Sequence, residues 1–396
     1  MENIRKPQYI PLRMEYIKDL LKDNDLKLLV NFDNDSSEAF INVYNQRDIR
    51  YVLDKKTLDF NKIMKQIGGK LKYIKSGTTG HTFKGLSEDL NVKDDFAVKI
   101  VAYPKKANYG NVYDVRRPEN AEIMMLKILS YFVISKQTPH IVLPVATFNT
   151  SIKPFLSLSD NHYVNSKKYD EFLKKNKKGN YHSNVSVLIS EWANGGDLLE
   201  YIRKNYKNMK SIDWKVIFFQ IVATLATIHR KYPEFRHNDF KANNILVHYI
   251  PIQNGKKNLF KYDVNGKKYG LPNIGLQIKI WDFDFAAIPG VVDNLKVTAT
   301  WTDKINVKPE MNRYYDIHYF FSTLTRKGFF PQFWTEPEIP DKIRDFVRRI
   351  LPKKYIKGKY VTERGRILIN DEYITPANIM LNDPLFNKFR PREDRV

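Results

Sequence analysis

The sequence contains no cysteine, which excludes disulfides and thiolate-held metal centres. Long apolar runs are missing too. The two most apolar helical patterns, 123–134 and 216–228, are broken by Lys127 and Gln220 and fall short of the roughly 20 residues that a bilayer crossing needs. The opening residues, MENIRKPQYIPLRMEY, lack the apolar centre of a signal peptide. These absences predict a soluble, intracellular protein with no membrane span. Acidic charge is the minority: 44 Asp and Glu stand against 66 Lys and Arg, a net charge of +22. Such an excess favours acidic partners. The pairs Lys167-Lys168, Lys174-Lys175, Lys177-Lys178, Lys256-Lys257 and Lys267-Lys268 are scattered through expected loops, however. Nucleic acid is therefore expected to meet the chain only non-specifically, through a basic surface. The 396 residues, 42% hydrophobic and 13% aromatic, suffice for a large core or two lobes.

What the sequence does have is HNDFKANNILV, from His237 to Val247, followed by KIWDFDFA, from Lys279 to Ala286. Asp239, Lys241 and Asn244 occupy a tight loop that runs into Ile245-Leu246-Val247, and Asp282 ends the apolar run from Ile278 to Trp281. Two short paired strands would bring Asn244 and Asp282 together at one end. That gives two oxygen ligands for a hard cation, with a carboxylate (Asp239) and an ammonium (Lys241) alongside. Mg²⁺ suits so sparse a set, because it keeps waters and binds phosphate oxygens beside one or two protein ligands. The chemistry implied is phosphoryl transfer, in which the protein positions groups and neutralises charge. Between the two stretches, Asn254-Gly255 and Asn265-Gly266 are strong hairpin signals, so 251–275 reads as a hairpin insertion.

The two stretches resemble the catalytic loop H-R-D-L-x-x-x-N and the metal-binding D-F-G of protein kinases. Asn238 stands where the family has Arg, and Asp284 where it has Gly. The resemblance extends upstream. In KLKYIKSGTTGHTFKG, Gly77 and Gly80 match the second and third glycines of the phosphate-covering loop, with Lys75 at the first; glycines there let backbone N–H groups approach phosphate oxygens. The strand FAVKIV resembles V-A-I-K and makes Lys99 the phosphate-binding lysine. An ammonium amid strand residues needs a partner. Glu122 is preferred over Glu119, because Met125, Leu126 and Leu129 follow it at helical i+3, i+4, i+7 spacing. In VSVLISEWANGGDLLEYI, the Glu191 carbonyl and the Ala193 amide would bind the adenine edge, with Ser190 as the small gatekeeper. Asp197 is either a ribose- or substrate-facing acid or a helix N-terminal acid. Asp316 resembles the helix-start Asp that braces the catalytic loop, or is a plain N-cap. Pro309-Glu310 resembles a remnant of A-P-E, and TPANIMLNDPLF, 375–386, the closing helix.

The resemblance implies an α+β, two-lobed kinase fold. Residues 1–66 are an extension, 67–192 a β-rich small lobe with an insertion near 151–183, and 193–396 a helical large lobe. It also implies an ATP-dependent serine/threonine protein kinase using Mg²⁺, or Mn²⁺ in its place. Asp239 accepts the substrate hydroxyl proton, Lys241 neutralises the moving phosphoryl, Lys99 with Glu122 holds the α- and β-phosphates, and Asn244 and Asp282 hold the metal. NAEIMMLKILS, WDFDFAAIPGVV and YYDIHYFFSTL further resemble the virion-packaged kinases of poxviruses and other large DNA viruses. That implies viral structural proteins among the substrates, a place in host cytoplasm or virion, and work in virion assembly. Two alternatives stay open. Choline and aminoglycoside phosphotransferases share H-N-D and an acid near Asp284, although Lys241 and the closing segment speak against them. A catalytically silent scaffold is the other, although every catalytic group is retained.

Overall fold

The computed structural model describes residues 10–22, 24–32, 47–77, 79–87, 95–158, 166–252 and 259–391. Asn254-Gly255 and Lys256-Lys257 lie outside the described residues. The described residues form two compact units, one from 10–131 plus 142–192, the other from 132–141 plus 193–391.

The first unit carries a five-stranded antiparallel sheet in the order β1-β2-β3-β5-β4. Its strands are β1 (Gly69–Ser76), β2 (Gly80–Ser87), β3 (Phe96–Pro104), β4 (Pro144–Ser151) and β5 (Tyr181–Glu191). The central strand β3 is apolar at nearly every position, as a strand covered on both faces must be. Gly80 faces Val101 on β3, and a Cβ there would stand 1.8 Å from the Ile100 carbonyl oxygen. Its lack of a side chain is thus dictated by strand pairing, whereas a Cβ at Gly77 would meet only the Gly80 carbonyl oxygen, at an ordinary 3.8 Å. The expected insertion between β4 and β5 contains a helix, Ser166–Lys177. Its Tyr169 and Phe172 pack on His81 at ring distances of 5.6 and 4.5 Å.

The N-terminal segment belongs to this first unit. Its helix Ile10–Leu20 buries Arg13, Tyr16, Ile17 and Leu20, one face at i, i+3, i+4, i+7 spacing. Arg13 grips both carboxylate oxygens of Glu191, its Nε donating at 2.9 Å, and the pair is almost wholly shielded from water. Glu191 also accepts from the Leu143 amide at 2.8 Å. Further along, the Lys55 ammonium is buried and donates to Tyr103 Oη (3.0 Å), Asn120 Oδ1 (3.3 Å) and Ser186 Oγ (2.7 Å). Burial pulls its pKa down to about 7, against the opposing field of Glu119.

The second unit is arranged around the helix Ser211–Lys231, buried at every position from Trp214 to His229. By length and composition this helix could cross a membrane, but the apolar window is 83% buried, as befits a core helix. Phe218 and Phe219 seed an aromatic cluster reaching Phe321, Phe346, Phe386 and Tyr262 at ring distances of 4.9 to 5.7 Å. Two strands, β6 (Ile245–Tyr249) and β9 (Leu276–Ile280), pair antiparallel with Ile245 opposite Ile280. Between them β7 (Leu259–Val264) and β8 (Lys267–Pro272) form a hairpin turned at Asn265-Gly266. Both turn residues have positive φ, 54° and 83°, which Asn and Gly tolerate best. The closing helix, Pro376–Asn382, is capped by Thr375. The following Asp383 takes a two-pronged contact from Arg349, 2.8 Å on each prong.

Candidate active site

The β6–β9 ladder decides where the chemistry sits in the second unit. With Ile245 opposite Ile280, the residues just outside the ladder, Asn244 and Trp281, are neighbours, and the Trp281 amide donates to the Asn244 carbonyl at 3.2 Å. Asp282 follows at φ +65°, a strained left-handed position that turns the chain sharply out of the strand. The catalytic-loop segment reaches the same place from the other side. The Asp316 carboxylate, in the first turn of the helix Tyr315–Leu324, accepts from the amides of His237 (2.7 Å) and Asn238 (2.9 Å). Burial raises the Asp316 pKa, opposed by His237 and by these amides. His237 Nε2 is 3.0 Å from the Trp281 carbonyl and closes the loop onto the second motif.

Asp239 lies at the centre. Its Oδ2 accepts from Lys241 Nζ at 2.7 Å and from Asn244 Nδ2 at 2.9 Å. Its Oδ1 accepts from Arg366 at 2.5 Å. Burial pushes the carboxyl pKa up, but Lys241 and Arg366 outweigh it and hold the group below its ordinary value. The carboxylate is thus ionised and fixed. Since Asn244 spends its amide N–H on Asp239, its Oδ1 is turned to act as an acceptor. Among the described residues no cluster of three or more His, Cys, Asp or Glu side chains could hold a metal. Asn244 Oδ1 and the Asp282 carboxylate, the two ligands expected from the sequence, could hold a hard cation bound mostly by water and phosphate oxygens.

Asp284 is engaged elsewhere. Its carboxylate meets the Lys296 ammonium, which also sits 3.7 Å above the Phe285 ring. We expect Asp284→Gly to retain more activity than Asp282→Asn when transfer is followed against Mg²⁺ concentration. The reverse ranking would make Asp284 the metal ligand.

In the first unit, Lys99 on β3 donates to Glu122 at 2.6 Å, and both are largely buried. Glu119 faces Arg117 instead, at 3.0 Å. Asp197 caps the helix Leu198–Asn205 by accepting from the Glu200 amide at 3.0 Å. Ser190 is buried on β5. Glu191 ends β5, and Ala193 opens the second unit.

Three site residues went unread in the sequence: Arg13, Arg236 and Arg366. Arg13 left a trace, since it shares the helical spacing of Tyr16, Ile17 and Leu20. Arg236 sits one place before His237, close to where the family has its arginine. It is buried, donates to the carbonyls of Asn306 (2.6 Å) and Glu310 (3.1 Å), and stacks 3.9 Å from the Tyr315 ring. Asn238 adds bonds from Nδ2 to the carbonyls of Phe285 (3.1 Å) and Lys308 (3.2 Å). Both ends of the segment after the second motif are therefore stitched to the catalytic loop without any acidic partner.

A family model described as protein kinase domain matches residues 106–302. A protein of Acanthamoeba polyphaga mimivirus, named provisionally as a serine/threonine-protein kinase, is 48% identical over 384 residues, covering 96% of this chain and 80% of the relative. Serine/threonine-protein kinase 2 of swinepox virus is 30% identical over 138 residues, 34% of this chain and 27% of that protein. Near-complete coverage at such identity, added to the match of the family model, means that the chain belongs to the protein kinase family, on its serine/threonine side.

Proposed function

We propose that this kinase transfers the γ-phosphoryl of ATP to seryl and threonyl hydroxyls of viral structural proteins during particle assembly. The observation that carries the reading is the Asp239 carboxylate, fixed by Lys241 and Asn244 beside Asp282. Bound Mg²⁺, with Mn²⁺ as substitute, and ATP supply the phosphoryl group and its charge neutralisation. Asp239 orients the accepting hydroxyl and takes its proton, and Lys241 offsets the negative charge that develops. Lys99, held by Glu122, supplies positive charge for the α- and β-phosphates. Glu191 and Ala193 offer backbone groups to the adenine, and Gly77 and Gly80 offer backbone N–H groups to phosphate. The viral assignment draws support from the two viral relatives.

The test is incubation of the purified protein with labelled ATP, Mg²⁺ or Mn²⁺, and a panel of virion proteins, generic protein substrates, choline and aminoglycosides. Label on virion Ser and Thr is the expected result. Label confined to small molecules would overturn the substrate class.

Regulation follows from the same geometry. In kinases switched on by activation-loop phosphorylation, a basic residue beside the catalytic Asp pairs with the phosphate. Here Asn238 is neutral and already spends its amide on Phe285 and Lys308. Of the threonines in that segment, Thr302 is buried and donates to the Ala299 carbonyl at 2.5 Å, while Thr298 and Thr300 are exposed. Phosphatase-treated protein should therefore transfer phosphate from the first turnover. Changing all three threonines to Ala should alter the rate less than about tenfold, or about 1.4 kcal/mol of barrier. A lag removed by autophosphorylation would refute this.

A further inference from the structure

Arg366 is 127 positions from Asp239 in sequence, yet it is the third group that touches this carboxylate. The loop that delivers it is pinned at several points. Val361 and Ile367 form an isolated bridge, the Thr362 amide donates to the Arg366 carbonyl at 2.9 Å, and the Arg366 amide donates to Thr362 Oγ1 at 3.0 Å. Gly365 turns at φ +88°, and a Cβ there would lie 2.7 Å from Arg326 Nε and 2.8 Å from Ser322 Oγ. The Ile367 carbonyl accepts from Asn306 Nδ2 at 3.0 Å, which ties the loop to the segment that Arg236 also holds.

The guanidinium makes three hydrogen bonds. Nη2 donates to Asp239 Oδ1; Nη1 donates to the Asn238 carbonyl and, at 3.0 Å, to Tyr315 Oη. The Tyr319 ring lies 4.2 Å from its central carbon. Asn238 is itself in the left-handed region at φ +62°, so a charged donor on its carbonyl helps hold a conformation that costs energy. Carboxylates offer about four lone-pair sites. Lys241 and Asn244 take those on Oδ2, and Arg366 takes one on Oδ1, which leaves a single acceptor site, on Oδ1, for the incoming hydroxyl.

We infer that Arg366 is a positioning residue for phosphoryl transfer: it locks the catalytic-loop backbone at Asn238 and aims the one open site of the Asp239 carboxylate at the substrate hydroxyl. The inference rests on the proposed role of Asp239. A movable blocking residue would need a guanidinium that can leave cheaply. This one would have to give up a carboxylate, a carbonyl, a hydroxyl and a ring together.

The experiment compares the wild type, Arg366→Ala, Arg366→Lys, Asp239→Asn and the double variant Arg366→Ala/Asp239→Asn, with melting temperature, ATP KM and kcat measured for each. Arg366→Ala is expected to lower kcat by roughly 10–10²-fold, the cost of a small misplacement at the reacting centre. ATP KM should change less than about threefold, because the residue acts in the transition state and not on nucleotide binding. The loss should largely vanish in the Asp239→Asn background, and guanidinium ion should restore part of it. Arg366→Lys keeps the charge but not the fork, so its kcat should fall between the two and stay there even if the alanine variant does not fold. A rise in kcat on losing the guanidinium, an equal loss with and without the Asp239 carboxylate, or full activity of Arg366→Lys would each overturn the inference. A wild type that transfers nothing would instead overturn the reading of the site beneath it.

Discussion

Replacing Asp239 by Asn is expected to lower turnover by roughly 10²–10⁴ while nucleotide binding persists, the usual effect of removing a general base. The geometry adds a second consequence. Oδ2 faces two donors, Lys241 and Asn244, and Oδ1 faces a third, Arg366. An amide in place of the carboxylate must turn its NH₂ toward one of these donor groups, whichever way it flips. A lowered melting temperature should therefore accompany the lost rate, and nucleotide titration separates the two. Nucleotide binding with an undiminished rate would remove Asp239 from the mechanism.

Lys99→Met is the second large effect, a loss of about 10²–10³-fold, comparable with removing one preorganised donor from a developing charge. Glu122→Gln should give a milder version, since the amide can still accept from the Lys99 ammonium but no longer balances its charge. Glu119→Gln should behave differently. Glu119 pairs with Arg117, whose side chain is wholly buried and also donates to the carbonyls of Gly110 and Pro104. Its loss should therefore be read in thermal stability, with transfer little changed. Equal rate losses for the two glutamates would exchange their roles.

Much of the site could be read in the sequence because its residues sit where local rules are broken. Lys99 is a charge inside an apolar strand, while Asn244 opens one apolar run and Asp282 follows another, and the pairing of the two runs sets Asn244 beside Trp281. Glu122 stood out through the apolar residues that follow it at helical spacing. What escaped notice depends on distance along the chain. Arg366 lies in a stretch without periodicity, and nothing near it in sequence hints at a carboxylate 127 positions earlier. Gly80 shows the converse. Its type was legible, but the structure supplies a reason in strand clearance that exists whether or not phosphate is bound. Gln220 looks like a break in the apolar span 216–228, yet it lies inside the helix Ser211–Lys231. In the fold Gln220 Oε1 accepts from the Ile278 amide at 2.8 Å, which lets an amide sit inside the core.

The Arg13–Glu191 pair bears on how such kinases can evolve. Two charges that neutralise each other away from water cannot be lost one at a time cheaply, since a lone survivor costs about 3–5 kcal/mol, much of a typical domain's stability. Descendants of this chain are therefore expected either to keep both residues or to exchange both for apolar ones. Positions 178 apart are thereby inherited as one character. Swapping the first residues between relatives as though they were a detachable module would break that inheritance at the end of β5.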